Sequence, residues 1–179
     1  MIYLLLADGF EETEALVPLD ILRRGGLSVK TLGITGRTVT GAHGVTIEAD
    51  AEPSECTEPP SLLILPGGMP GTTNLDASSE TERLLSLTVA SGGRVGAICA
   101  APSILGRRGL LRGHEAVCYP GFEETLSGAV IATKAVVTSG IFTTAIGMGA
   151  AYAFGLELLR LLTDAETAET VARAAHIPC

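Results

Sequence analysis

The chain has 179 residues, 46% of them hydrophobic and 18% charged, with a mean hydropathy of +0.40. It is long enough for one domain with a substantial core, spanning 1–179, too short for two ordinary ones, and too apolar to stay disordered. The net charge of −8 and pI near 4.8 argue against the clustered Lys and Arg of a phosphate-binding surface, and so against nucleic acid as a partner.

Residues 2–7 (IYLLLA) form a short apolar run and are expected as a strand buried on both faces. Residues 11–24 follow as a helix, with Ala15, Leu16, Leu19 and Leu22 on one stripe. Asp8 and Glu11 are spaced as a capping box, and Gly25-Gly26 forms a stop. Residues 29–33 are a second strand, and residues 37–50 (RTVTGAHGVTIEAD), with a glycine-rich centre, a hairpin appended to the sheet. Then come a strand at 62–65, a helix at 78–91 ending at Gly92-Gly93, a strand at 95–98, a helix at 100–108 and a strand at 136–137. Helices at 143–162 and 165–175 complete the chain.

Only residues 145–156 of the apolar segment 141–162 are strongly hydrophobic, which suits a buried core helix better than a bilayer span. The glycines of that helix, Gly147, Gly149 and Gly155, permit close approach in core packing or at a dimer interface. The opening MIYLLLADGF lacks a basic n-region and cleavage site. The four cysteines, Cys56, Cys99, Cys118 and Cys179, form no CxxC pair. A cytoplasmic protein with free thiols, no membrane partner and no metal is therefore expected.

Alternating strands and helices predict an α/β fold, a mostly parallel sheet sandwiched by helices. In such sheets ligands sit beyond the carboxyl ends of the strands. Three loops there carry candidate chemistry: residues 8–14, 66–71 (PGGMPG) and 99–102. Cys99 breaks the run VGAI before Ala100, Ala101 and Pro102. A thiol at such a strand-to-helix turn would be reachable, and the helix start would favour thiolate; equally, a free cysteine can serve as a small buried hydrophobe. Cys56 reads as a surface-loop residue.

The histidines His43, His114 and His176 fall in a hairpin, a polar turn and the tail, and read as exposed rather than catalytic. Glu11, Glu12 and Glu14 lie at the end of the first strand; they suit either helix-dipole acids or a carboxyl kept protonated beside Cys99. Gly67 and Gly68 allow close backbone approach, as a turn or as a donor to an oxyanion. No GxxxxGK[ST] loop occurs.

Together, GFEETEALVPLDILRRGG, LLILPGG with Asn74-Leu75, AICAAPSIL and a TSG segment entering a long helix resemble the ThiJ/PfpI superfamily, and within it the branch of the parkinsonism-associated protein deglycase. The resemblance spans nearly the whole chain. It implies a flavodoxin-like fold, usually homodimeric, and cofactor-independent chemistry on dicarbonyls: glyoxalase conversion of methylglyoxal to lactate, or deglycation of early adducts on protein side chains. By position, the nucleophile falls on Cys99, the protonated acid on Glu14 and the oxyanion-hole amides on Gly68 and Ala100. Gly67, Tyr119 and His43 are further pocket candidates.

The resemblance also marks Cys99 as a site of oxidation to sulfinate, which offers a redox-sensor or holdase reading without turnover. Two departures stand out. Tyr119 precedes Pro120 where the deglycase often has histidine, and Gly140-Ile141-Phe142-Thr143-Thr144 replaces a family-typical Arg-Gly-Pro-Gly-Thr, which removes an expected basic group from the pocket rim.

Overall fold

The computed structural model describes residues 1–177; Cys179 lies outside the described residues. In chain order its elements are β1 (Ile2–Leu6), α1 (Glu12–Arg24), β2 (Val29–Gly33), β3 (Thr38–Thr40), β4 (Thr46–Glu48), β5 (Leu62–Leu65), α2 (Gly71–Ala77), α3 (Ser79–Ala90) and β6 (Arg94–Ile98). The second half adds α4 (Pro102–Arg107), β7 (Glu115–Ala116), β8 (Val130–Ile131), β9 (Val136–Ser139), β10 (Phe142–Ala145), α5 (Ala151–Leu162) and α6 (Ala165–Ala174).

The main sheet has the order β2-β1-β5-β6-β10-β9. Every neighbouring pair is parallel except β9 with β10, as expected for a doubly wound α/β sheet. The chain moves outward from β1 to β2 and then restarts on the other side at β5. This reversal lies between the carboxyl ends of β1 and β5, where such sheets open a crevice.

Alternation along the strands divides the core. Leu4, Leu6 and Ile64 pack with α1, α5 and α6 on one face, while Tyr3, Leu5, Leu63 and Leu65 pack with α3 and α4 on the other. All four side chains of β5 are fully buried, each worth about 1.5–3 kcal/mol of transfer free energy. The β3–β4 hairpin forms its own two-stranded sheet, as expected for an appended element.

Several local expectations change. The helix expected from Thr143 begins only at Ala151, because Phe142–Ala145 is a fully buried strand paired with β6. Its β-branched threonines favour the pleated conformation. The strand at 136–137 extends to Ser139 and pairs with β10 through the two-residue turn Gly140-Ile141. Those two residues therefore lie at the opposite end of β10 from Cys99, so the substitution of Gly140-Ile141-Phe142 does not bear on the rim. Helix α2 had no counterpart in the periodicity, and α4 starts at Pro102, where a missing N–H costs nothing.

The capping box is also different. Glu11 itself caps α1, accepting from Glu14 N–H at 2.6 Å, while Asp8 accepts from the Thr40 amide at 2.9 Å and ties down the hairpin. Cys56 is buried at 4% exposure rather than on the surface, since its loop folds under Arg83, which donates to the Cys56 and Pro53 carbonyls. His114 is half-buried, edge-on to Phe142 and 3.1 Å from Ser139 Oγ. Of the three glycines near α5, only Gly155 lies in the helix. A Cβ there would meet Ile21 and Pro18 at 2.9 and 3.0 Å, so it serves the α1–α5 contact. No described helix is long and apolar enough to cross a membrane.

Candidate active site

Three chain turns meet at the carboxyl ends of β1, β5 and β6. Cys99 follows β6 with φ +64, a left-handed conformation that costs a non-glycine residue about 1–2 kcal/mol. Its backbone is held on both sides: its N–H donates to Ala145 O at 2.9 Å, and its carbonyl accepts from Tyr119 N–H at 2.8 Å. The side chain is partly exposed, whereas Cys118 is buried. The amides of Ala100 and Gly68 both donate to the sulfur.

Glu14, one turn into α1, is 1% exposed. Its carboxyl shares a hydrogen bond with the Cys99 sulfur and accepts from the Gly67 amide at 3.0 Å and from the Met148 amide. Gly67 makes this approach possible, since a Cβ there would lie 2.5 Å from Glu14 Oε2 and 2.6 Å from Cys99 Cβ. Gly68 has φ +90 and is pressed against the Glu11 backbone, where a Cβ would lie 2.4 Å from Glu11 N; a side chain would be strained there.

Burial raises the Glu14 carboxyl to about 7, with the Glu11 charge adding to the effect and the donors from Cys99, Gly67 and Met148 opposing it. The Cys99 thiol is pushed up to about 12, first by burial and then by the ionised Glu14 beside it, against the pull of the Ala100 and Gly68 amides. The expected acidic thiol is thus not found while Glu14 is charged, because a buried anion cannot tolerate a second one at contact. The two groups titrate as a pair that holds one proton over a wide range. When Glu14 holds that proton, the charge rests on sulfur, where two amides already point.

The remaining candidates are more peripheral. Tyr119 has a backbone bond to Cys99, and its ring lies beside Gly147, where a Cβ would be 3.4 Å from Tyr119 Cδ2 and 3.9 Å from Glu14 Oε1. His43 is exposed and turned to Glu12, with Nδ1 2.8 Å from Oε2 and its amide donating to Oε1 at 2.7 Å. It does not reach the pair. Glu11, Glu12 and His43 are the one group of metal-type donors close together among the described residues, but these contacts are already used to cap α1 and hold the hairpin. A cavity of about 520 Å³ lies between β9 and α5 and includes neither Glu14 nor Cys99. The periodicity missed the Met148 amide and the Ala145 carbonyl, since residues 143–150 read as helix.

A protein-family model described as the DJ-1/PfpI family matches residues 1–161. The chain belongs to the DJ-1/PfpI family. Its DJ-1 relatives include protein dj-1beta of Drosophila melanogaster, 32% identical over 94% of this chain and 92% of that protein. The glutathione-independent glyoxalase DJR-1.2 of Caenorhabditis elegans is 32% identical over 91% of this chain and 88% of that protein. Among solved structures, a mutant of a DJ-1 superfamily protein from Salmonella typhimurium superposes with a TM-score of 0.95 at 34% identity, covering 99% of this chain and 98% of that one. Oxidized DJ-1 of Toxoplasma gondii gives 0.93 at 31% identity, covering 97% and 96%. The DJ-1 superfamily match agrees with the flavodoxin-like sheet order described above.

Proposed function

We propose that this DJ-1/PfpI protein is a cofactor-independent glyoxalase that also removes early glycation adducts, with Cys99 as nucleophile and Glu14 as proton carrier. The observation that carries the reading is the contact between the buried Glu14 carboxyl and the Cys99 sulfur, with the Gly68 and Ala100 amides aimed at the same atom.

In this mechanism the sulfur adds to the aldehyde carbon of methylglyoxal, and the new alkoxide takes the proton from Glu14 while the Gly68 and Ala100 amides turn to it. Glu14, now ionised, removes the hydrogen on that carbon and returns a proton to the neighbouring carbonyl carbon, while the hydroxyl proton passes from the first oxygen to the second. The first carbon is oxidised to a thioester and the second reduced to an alcohol, so no external oxidant is needed. Water cleaves the thioester to lactate and restores the thiol. Early adducts on Cys, Lys and Arg join the path when the Cys99 sulfur displaces the protein thiol, amine or guanidine, which leaves with the proton from Glu14, and the same hemithioacetal results. Support comes from the family and from the relative named as a glutathione-independent glyoxalase. We further propose that the protein works as a cytoplasmic homodimer.

The test is lactate formation from methylglyoxal by wild type, Cys99→Ala and Glu14→Gln. Loss in both variants supports the reading, and retained turnover in Cys99→Ala overturns it. A second reading, redox sensing through oxidation of Cys99 to sulfinate, is favoured by one observation: Cys99 is partly exposed while Cys56 and Cys118 are buried.

A further inference from the structure

Three of the large hydrophobic side chains that stand more than half exposed, Met69, Tyr119 and Met148, belong to residues bonded to or adjoining the reactive pair. Met69 follows Gly68, whose amide donates to the Cys99 sulfur. Tyr119 donates its amide to the Cys99 carbonyl, and Met148 donates its amide to Glu14. Tyr119 and Met148 bond to the centre through their own amides and Met69 adjoins an amide that does, while all three side chains stand more than half exposed. Exposed single hydrophobes are ordinary, but three on residues bonded to or beside one partly open thiol put apolar surface around its mouth.

Gly147 adds a shape to this mouth. A Cβ there would touch both the Tyr119 ring, 3.4 Å from Cδ2, and the Glu14 carboxyl, 3.9 Å from Oε1, so its absence leaves room between them. The charges that the start of α1 brings to the pair are acidic. Among the described residues every ion-paired arginine is engaged away from Glu14, Cys99 and the loops carrying Gly68, Tyr119 and Met148. The acids Glu11 and Glu12 share the first turn of α1 with Glu14, and His43 is held by Glu12. A phosphorylated or carboxylated substrate would meet the carboxylates at the start of α1, whereas a neutral flat group would find methionine side chains and an aromatic ring.

We infer that the Met69, Tyr119 and Met148 rim selects electrophiles bearing a flat apolar substituent, making arylglyoxals the preferred α-oxoaldehydes and Tyr119 the specificity-determining residue. This inference rests on the proposed function for its chemistry. An arylglyoxal and one water give the aryl 2-hydroxy acid, the aldehyde carbon being oxidised and the ketone carbon reduced. Specificity of this kind arises when the substituent, rather than the reacting carbonyl, is removed from water.

The experiment measures kcat/KM for phenylglyoxal and for methylglyoxal in wild type, Tyr119→Ala and Tyr119→Phe. The quantity read is the ratio of the two constants relative to wild type, which cancels the differing intrinsic reactivities of the aldehydes. In Tyr119→Ala the ratio falls by about tenfold, and Tyr119→Phe stays within about twofold. A ratio unmoved by Tyr119→Ala overturns the inference while leaving the glyoxalase reading intact. In parallel, Cys99 is alkylated with iodoacetamide and with N-phenyl-2-iodoacetamide. If neither aldehyde is turned over but the preference for the phenyl reagent disappears in Tyr119→Ala, the proposed function fails and the rim's selectivity holds. Equal relative rates in wild type and variant overturn the rim.

Discussion

Glu14 and Cys99 share one hydrogen bond across the switch point of the sheet, each brought there by a different strand-to-helix turn. Two acidic groups in contact lose their protons in steps that belong to the pair. The first step lies near the raised Glu14 value of about 7 and the second near about 12.

Alkylation of Cys99 by iodoacetamide should rise with pH through a midpoint near 7, because that first step creates the singly charged pair, whose form with the proton on Glu14 carries the charge on sulfur. In Glu14→Gln no carboxyl remains to take the thiol proton, and the midpoint should move upward. Rates measured by mass spectrometry from pH 5 to 10 check both, and a wild-type midpoint that the variant shares would exclude coupling.

The same raised carboxyl affects stability. A Glu14 pKa raised from 4.5 to about 7 means the folded protein holds a proton that the unfolded chain releases. The stabilising contribution is complete below about 4.5 and is lost as pH rises through about 7. At pH 8 Glu14→Gln should be more stable than wild type by up to about 3 kcal/mol, converging toward it near pH 4.5. Urea denaturation at the two pH values measures the difference.

Gly67→Ala puts a Cβ 2.5 Å from Glu14 Oε2 and 2.6 Å from Cys99 Cβ. The carboxyl and the sulfur must separate, so turnover should fall by at least about a hundredfold, against a folding cost of about 1–3 kcal/mol. Circular dichroism and thermal melting distinguish a folded, inactive variant from a collapsed one.

His43 contacts Glu12, not the reactive pair. His43→Ala should keep lactate formation from methylglyoxal within about twofold of wild type, because no proton-transfer step depends on it. The Glu12 contact raises the imidazole pKa, so its contribution to the hairpin is full below the ordinary histidine range and fades as pH rises. Amide exchange across residues 38–48 reads that loosening directly.

Mild peroxide should add two oxygens at Cys99 before any reach Cys56 or Cys118, which are 4% and 3% exposed. Peptide mapping locates the modification. Oxidation beginning at either buried thiol would exclude a sensing role for Cys99.

Much of the architecture was legible in the sequence because β1, β5 and β6 are short apolar runs with punctuated ends, a pattern that burial on both faces imposes. The strand Phe142–Ala145 was hidden because its four apolar and threonine residues run into the apolar α5 segment, and only pairing with β6 separates them. At the site, Cys99 stands out through its break in the run and the acids after the first strand offer it a protonated partner, while the family pattern is what separates Glu14 from ordinary helix-dipole acids. The sulfur holds its proton more tightly than its place at a helix start implies, because burial first and the contacting carboxylate second outweigh the amides that favour an anion. The Met148 amide had no signal of its own, as a main-chain donor leaves no mark on residue type.

That anonymity has an evolutionary side. The Gly67, Gly68, Ala100 and Met148 groups bonded to the pair are all peptide N–H groups, so lineages could exchange the outward-facing side chains at 69, 119 and 148 while inheriting the reaction centre intact. On the proposed function, a new diet needs only new side chains at the rim, whereas new chemistry would require rebuilding the backbone.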